Sequence, residues 1–144
     1  MATHNVLFVP SDDDLFPEIL RLMPNSPIGV FVKGSVELFE HWSDSIWIAV
    51  VGTRKVTDYG RNVTFSLVRD LARCKIGIIS GLMYGVDEIA HRSCLKAGGK
   101  TVGVWAGGID TLLVGSRAKL AEEILSHGGL LLSEYPIGFK PNAY

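Results

Sequence analysis

Cysteine is scarce in this sequence, and its placement excludes two common ways of stabilising a small domain. The 144 residues include two cysteines, Cys74 and Cys94. They form no CxxC pair, and no histidine stands at the spacing typical of zinc ligands. We therefore predict no metal site, no disulfide framework and no cofactor, and we interpret both cysteines as small buried hydrophobic residues on helices.

Long apolar runs are also missing. No segment reaches the roughly 18 apolar residues that a membrane-spanning helix requires. The N-terminal residues Met1–Val9 have no basic start of the kind that precedes a signal sequence. We expect no membrane partner and a cytoplasmic location.

The sequence has no excess of positive charge. Lysine and arginine total 14 residues against 15 aspartates and glutamates, which gives a net charge of −1. Domains that bind nucleic acid through its phosphates usually carry a clear basic excess. The overall charge is a mild argument against nucleic-acid binding, so such a function would have to depend on a local basic patch.

Glycine, by contrast, is abundant, and it clusters at the ends of apolar runs. A buried strand, a glycine turn and a helix follow one another three times, which is typical of a parallel sheet covered on both faces. We predict an α/β, Rossmann-like three-layer fold with a mainly parallel sheet of at least four strands and helices on both faces. The predicted strands are Ile46–Val51, Lys75–Ile79, Thr101–Trp105 and Leu130–Leu132, and the predicted helices are Tyr59–Arg73, Val86–Ala97 and Ser116–His127.

The length is that of one domain, residues 1–144, with an N-terminal extension over residues 1–45 and a core over residues 46–144. Apolar spacing and flanking prolines predict three elements in the extension. These are a helix, a short strand and one helical turn, at Ser11–Met23, Gly29–Lys33 and Glu37–His41. In the first core helix, we expect the apolar face to consist of Val63, Leu67, Val68 and Leu71.

Small and polar residues follow all four predicted strands of the core. In an open parallel sheet, ligands bind beyond the carboxyl ends of the strands, where helix N-termini favour phosphate. We therefore predict an anion-binding crevice at this edge of the sheet. Its candidate residues are Gly52, Thr53, Arg54, Ser80, Gly81, Gly85, Asp87, Gly107, Gly108, Ser133 and Glu134.

Arg54 is the most informative charge among these candidates. A guanidinium at the end of a strand can bind phosphate through two hydrogen bonds, while the alternative is an exposed arginine or an ion pair with Asp58. Asp87 either contacts the ligand or stabilises a helix N-terminus. His91 is interpreted as structural. Because no arrangement matches a nucleophile elbow, we predict no catalytic residues and no enzymatic activity.

The order and spacing of several segments match a known family. The segments are Phe31–Gly34, Ile48–Arg54, Ile79–His91, Ala97–Thr101, Leu120–Ile124 and Gly129–Tyr135. Together they resemble the Smf/DprA family, the DNA-processing protein A of natural transformation. The resemblance implies a domain that binds single-stranded DNA and helps to load a RecA-type recombinase without catalysis. It also implies phosphate contacts from Arg54 and the Ser80–Gly81 turn. Lys100 is implied as a further basic contact, although the predicted topology puts it at the opposite end of the sheet.

The sequence departs from the family pattern in three places. It ends at Tyr144, so we expect it to lack the family's later strands and the basic, self-associating and recombinase-binding surfaces that they carry. Leu113–Gly115 stand in place of the family's Tyr-Pro, and Met83-Tyr84 in place of a small residue followed by arginine or lysine. We expect a chain with these departures to keep the fold, and the departures count against DNA binding.

Two functions stay open at this point. The motif match favours DNA binding in recombination, which we place first. The near-neutral charge favours a second function, suggested by a resemblance to the wider superfamily that joins this family to the LOG proteins. That function is the binding of a nucleotide-derived signalling molecule by a sensor or sequestering protein, as in phage defence or counter-defence.

The run Ile46–Val51 also bears on assembly, since it is the most apolar run and would lie at an edge of the predicted sheet. An uncovered apolar edge strand drives association, and Trp42 and Trp47 would add exposed aromatic surface. Either the strand at Gly29–Lys33 covers this edge or a second copy of the chain does. We predict a homo-oligomer, at least a dimer.

Overall fold

A computed structural model describes residues 5–113, 115 and 117–141. Val114 and Ser116, which belong to segments singled out above, lie outside the described residues. Six strands are present: β1 (Leu7–Pro10), β2 (Gly29–Gly34), β3 (Trp47–Ala49), β4 (Gly77–Gly81), β5 (Thr101–Val104) and β6 (Leu130–Ser133). The helices are α1 (Glu18–Arg21), α2 (Val36–Glu40), α3 (Asp58–Arg73), α4 (Val86–Lys96), α5 (Ile109–Leu113) and α6 (Ala118–Ser126).

The six strands form one sheet in the order β1-β2-β6-β5-β4-β3. The four core strands β3 to β6 are mutually parallel, which confirms the predicted α/β, Rossmann-like fold. β2 pairs antiparallel with β6, and β1 pairs antiparallel with β2. The expectation that β2 could cover the edge at β3 is therefore wrong, because β2 lies at the opposite side of the sheet. The short β1 was not predicted; it ends in proline, which sheets tolerate at their edges.

The two faces of the sheet are covered by different parts of the chain. Right-handed crossovers that step in one direction through neighbouring strands put their helices on the same face. Ile78 and Leu131 are fully buried on that face, among residues of α3, α4, α5 and α6. On the other face, Val102 packs with Phe16 and Phe39 of the N-terminal segment. The N-terminal extension thus supplies the third layer of the fold.

The first helix is much shorter than predicted. Instead of Ser11–Met23, only Glu18–Arg21 is helical. The carboxylate of Asp13 accepts a hydrogen bond from the Leu15 amide at 2.9 Å, which forms a local turn that competes with helix. Pro17 then occupies the N-cap position. The helical spacing of Leu15, Ile19 and Leu22 was misleading, because all three side chains are exposed.

The buried face of α3 also differs from the prediction. Thr64, Val68 and Ala72 face the core, whereas Val63 and Leu67 are exposed. α3 packs closely against α4, and small side chains permit this approach. The Thr64 hydroxyl donates to the Gly60 carbonyl at 2.8 Å, so its burial leaves no donor unpaired. The prediction is therefore correct for Val68, which is fully buried, and for Leu71, which packs against the core, and it is wrong for the other two residues.

β3 is shorter and less buried than the predicted strand Ile46–Val51. It pairs only with β4 among the described strands, and Ile46 and Val51 flank it as exposed residues. Trp42 and Trp47, which we expected to be exposed, instead stack with their ring centroids 4.6 Å apart and pack against the core. Their half-burial removes one of the two reasons for predicting association at this edge.

The cysteines behave differently from one another. Cys94 is buried on α4, and burial raises the pKa of its thiol to about 11. Cys74 follows the last residue of α3 and is exposed, so interpreting it as buried is wrong. Within the described parts of the chain, no cluster of three histidine, cysteine or acidic side chains could hold a metal ion. In those same parts, no helix combines the length and apolar character needed to cross a membrane.

His91 links α4 to the ends of two strands and is fully buried. Its Nε2 lies 2.8 Å from the Gly81 carbonyl oxygen and its Nδ1 lies 2.7 Å from the Thr101 hydroxyl. A neutral imidazole donates its Nε2–H to the Gly81 carbonyl, and its Nδ1 accepts only when the single hydroxyl proton of Thr101 turns to it from the Ile78 carbonyl, which lies 3.0 Å from the same hydroxyl. Burial lowers the pKa of His91 below its ordinary value because it disfavours the charged ring, and this outweighs the nearby carbonyl that favours it.

The lowered pKa of His91 makes stability depend on pH. A histidine in an unfolded chain has a pKa near 6.5. Below that pH, His91 binds a proton in the unfolded chain but stays neutral in the folded chain. The free energy of unfolding should be fully retained above pH 6.5 and fall as the pH drops below it, by up to about 1.4 kcal/mol per pH unit for one proton. Urea unfolding at several pH values between 7.5 and 5.5 measures this.

His91→Gln provides the control, because it removes the buried titrating group and leaves the exposed His41 and His127 in place. This variant should lose the part of the pH dependence that His91 contributes. The same slope in both proteins would show that His91 is not the group responsible.

Candidate functional site

A crevice of about 410 Å³ lies beyond the carboxyl ends of the core strands, where the sequence predicts a ligand site. Among the predicted residues, Ser80, Gly81 and Glu134 line it together. Two aromatic residues, Trp105 and Tyr135, also line it. None of the described residues that line the crevice is basic, so the positive charge expected of an anion site must come from elsewhere.

Two predicted site residues use their hydroxyls to join neighbouring strand ends. Ser80 donates to the Val50 carbonyl at 2.6 Å, and Ser133 donates to the Gly107 carbonyl at 2.7 Å. Ser133 also accepts from the Tyr135 amide at 2.9 Å. Both serines are almost completely buried. These bonds fix the floor of the crevice.

The turn after β5 is held by the segment that follows β6. The Gly108 amide donates to the Phe139 carbonyl at 2.8 Å, and Tyr135 stacks on Phe139 with ring centroids 4.5 Å apart. A side chain at Gly108 would collide with the Pro136 carbonyl oxygen. Gly107 and Gly108 therefore serve the packing of this turn.

Basic residues gather in a second depression, next to the loops that follow β3 and β4. It measures about 260 Å³ and is lined by Arg54, Arg61, Tyr84, Glu88, Ile89 and Arg92, among others. A further depression of about 260 Å³ shares three of these residues, Arg61, Ile89 and Arg92, and adds Phe65 and Lys96. We call the two together the α3–α4 groove, since most of these residues belong to those helices.

The groove exists because the two loops approach each other closely. Gly85 adopts φ +89°, and a Cβ there would lie 2.2 Å from the Thr53 carbonyl oxygen. Only glycine fits this position. The Val86 amide donates to the same Thr53 oxygen at 3.2 Å, and Gly52 makes room for the Val86 side chain. This contact brings Arg54 to the wall that carries Tyr84.

A network of ion pairs runs along one side of the groove. Glu88 accepts from Arg92 at 3.0 Å and from the nearly buried Arg117 at 2.8 Å. Arg92 also contacts Glu123. The hydrogen bond between Arg92 and Glu123 lowers the pKa of the carboxyl and raises the pKa of the guanidinium. The network holds these side chains in defined positions.

The groove carries a net positive charge. Arg54, Arg61, Arg92, Arg117 and Lys96 lie along it or beneath it, against the two glutamates of the ion-pair network. Among the described residues, Arg61 and Lys96 have no acidic partner. The chain with a net charge of −1 thus has the local basic patch that phosphate binding would require.

Asp87 and Lys100 line neither the crevice nor the α3–α4 groove. The Asp87 carboxylate is buried against Gly81, where a Cβ would lie 2.5 Å from its Oδ2. Lys100 donates from Nζ to the His127 carbonyl at 3.3 Å, at the amino end of β5 and the opposite end of the sheet. The structure does not bring Lys100 together with the other candidates, in agreement with the topology of the predicted sheet.

Arg61, Arg92 and Lys96 were not among the predicted site residues. The sequence shows that these residues are basic, but it does not show that they lie together, because Arg61 belongs to α3 and the other two belong to α4. They share one groove only because these helices pack side by side. Tyr84 was noticed as a departure from a family pattern, and its place in the groove was not predicted.

A protein-family model matches nearly the whole chain. The model of the DNA recombination-mediator protein A family matches residues 7–144. A putative DNA processing protein DprA of Mycobacterium tuberculosis is 43% identical over 144 residues, covering 92% of this chain and 36% of the relative. Protein Smf of Synechocystis sp. is 35% identical over 137 residues, covering 95% of this chain and 34% of the relative.

Solved structures agree with the sequence relatives. DNA processing protein A from Streptococcus pneumoniae superimposes with a TM-score of 0.82 at 30% identity, over 96% of this chain and 47% of that structure. DNA processing protein A from Helicobacter pylori, described for its single-stranded DNA binding mode, gives a TM-score of 0.80 at 27% identity, over 97% and 60%.

The chain therefore spans about a third of the two sequence relatives and roughly half of the two structures. Of the two functions that the sequence left open, these comparisons favour DNA processing over the binding of a nucleotide signal. The match to the family model covers far more than half of the chain and agrees with the fold. This chain belongs to the DNA recombination-mediator protein A family, as the sequence resemblance indicated.

Proposed function

We propose that this chain is a non-catalytic domain that binds single-stranded DNA during DNA processing and recombination. The observation that carries the proposal is the α3–α4 groove, where arginines and a lysine are concentrated in a chain of near-neutral charge. A basic groove that follows a strand's backbone is the usual means of binding single strands without reading their sequence. The single-stranded DNA binding described for the Helicobacter pylori relative supports it.

A non-catalytic role agrees with how the polar residues near the site are used. Ser80 donates its hydroxyl proton to a backbone carbonyl, and both ring nitrogens of His91 have structural partners. These are the side chains that a nucleophile and its general base would need free. Each of these two side chains instead makes hydrogen bonds that hold strand ends together.

The family assignment supports two further proposals about partners and place. The family is named for mediating recombination, which supports a RecA-type recombinase as partner. We place the protein in the cytoplasm, because that is where its proposed DNA ligand and recombinase would meet.

Arg54→Ala should weaken the binding of a single-stranded oligonucleotide by about 1–3 kcal/mol, the range for a charge-assisted contact. If Arg54 contacts one phosphate, the slope of log K against log salt should also become less steep by about 0.7. Fluorescence anisotropy titrations at several salt concentrations measure both quantities.

Arg73→Ala is the matched control, because it removes the same charge from the far end of α3, where the side chain is 66% exposed. It should change neither the affinity nor the salt slope appreciably. Equal effects from the two substitutions would mean that only overall charge matters. An unchanged affinity in folded Arg54→Ala would remove Arg54 from the site.

We further propose that two copies of the chain associate through the open edge of β3. The amides and carbonyls of alternate residues from Ile46 to Val50 bond to β4, so those of Trp47 and Ala49 face the open edge. On the flank of α3 turned away from α4, the exposed residues Tyr59, Val63 and Leu67 form an apolar stripe. Unpaired backbone beside apolar surface supports pairing with another copy.

Light scattering at rising protein concentration should show a dimer. Ala49→Pro should shift it to monomer, because proline removes an outward amide without breaking a bond to β4. Circular dichroism of the variant confirms that the sheet is kept. A wild-type chain that stays monomeric at high concentration contradicts the proposal.

A further inference from the structure

Tyr84 stands out within the α3–α4 groove. It lies in the turn between β4 and α4, and 53% of its surface is exposed, although it is a large aromatic residue. The guanidinium of Arg117 lies over its ring, with Cζ 3.9 Å from the ring centroid. Such close stacking on a cation fixes the plane of the ring.

The cation beneath Tyr84 is itself held firmly. The side chain of Arg117 is only 7% exposed, and its Nη2 donates to Glu88 at 2.8 Å. Glu88 is held in turn by Arg92, which also contacts Glu123. An aromatic ring that rests on this network has little freedom left to lose when a ligand stacks on it. A ring ordered in advance binds at lower entropic cost.

The surroundings of Tyr84 suit a nucleotide rather than an apolar ligand. Arg54 and Arg61 line the same depression as Tyr84, and Arg61 has no acidic partner in the described part of the chain. Farther along the groove, Phe65 is 39% exposed and Lys96 is a second cation without an acidic partner there. Aromatic rings interleaved with cations are the pattern that bases and phosphates require.

We propose that Tyr84 is the stacking platform for one base of a bound single strand. A flanking phosphate lies at Arg61, and the strand continues between α3 and α4 towards Phe65 and Lys96. The proposal rests on the proposed function and adds to it a base-contacting residue and a direction for the strand. Because every base has an aromatic face, this contact favours no particular sequence.

The test compares two probes of equal length, a labelled oligothymidylate and an oligomer whose sugars carry no bases. Removing a stacked aromatic costs about 1–3 kcal/mol per base, so Tyr84→Ala should weaken oligothymidylate binding roughly 5- to 150-fold. It should leave the abasic oligomer within about twofold of wild type. Tyr84→Phe keeps the aromatic ring, so it should retain the wild-type preference for oligothymidylate over the abasic oligomer.

Two further variants separate stacking from structure and from charge. Tyr84→Leu still covers Arg117 but has no aromatic face, so it should lose oligothymidylate affinity as Tyr84→Ala does, even if the alanine variant folds poorly. Arg61→Ala should weaken both probes, because both carry phosphates. Thermal melting confirms that each variant is folded.

The outcomes are distinguishable. Equal losses on both probes would mean that Tyr84 only positions Arg117 and its neighbours, which overturns the stacking platform and leaves DNA binding in place. No loss in Tyr84→Leu overturns it as well. If the wild-type chain binds neither probe, the proposed function fails, and this inference fails with it.

Discussion

The contact between the loops that follow β3 and β4 is the constraint on which the candidate site depends. Gly85 passes so close to the Thr53 carbonyl that no side chain fits, and the Val86 amide bonds to the same oxygen. A few residues earlier on the same two strands, the Ser80 hydroxyl donates to the Val50 carbonyl. Together these contacts place the ends of two parallel strands in register. As a result, Arg54 and Tyr84 line the same groove although they come from different loops.

The charge of the chain is balanced overall and unbalanced locally. Glu88 and Glu123 lie within the ion-pair network and neutralise part of the arginine charge, and they also fix Arg92 and Arg117 in place. Partly exposed ion pairs such as those of Arg92 add little to stability, whereas removing Glu88 would leave the charge of the nearly buried Arg117 uncompensated. Their value here is geometric: they support one side of a groove in which Arg61 and Lys96 have no acidic partner among the described residues.

The sequence was sufficient for the parallel core and for the edge where Arg54 would lie, because continuous apolar strands and glycine turns are local signals. β6 is buried along its whole length, as its apolar run predicted. The sequence was insufficient wherever contacts between segments distant along the chain determine the structure. β2 pairs with β6 rather than with β3, and α3 buries Thr64 and Ala72. The Ser80 hydroxyl donates to a carbonyl at the end of the neighbouring strand. The α3–α4 groove was missed for the same reason, since its residues meet only through helix packing.

The central claim is that single-stranded DNA lies along the α3–α4 groove. Amide chemical shifts of the labelled chain, followed by NMR during titration with an oligothymidylate, test it most directly. We expect the largest shifts at Arg54, Arg61, Tyr84 and Arg92, and we expect Lys100 and His127 at the opposite end of the sheet to stay unchanged. Shifts concentrated around Lys100 and His127, with none in the groove, would contradict it.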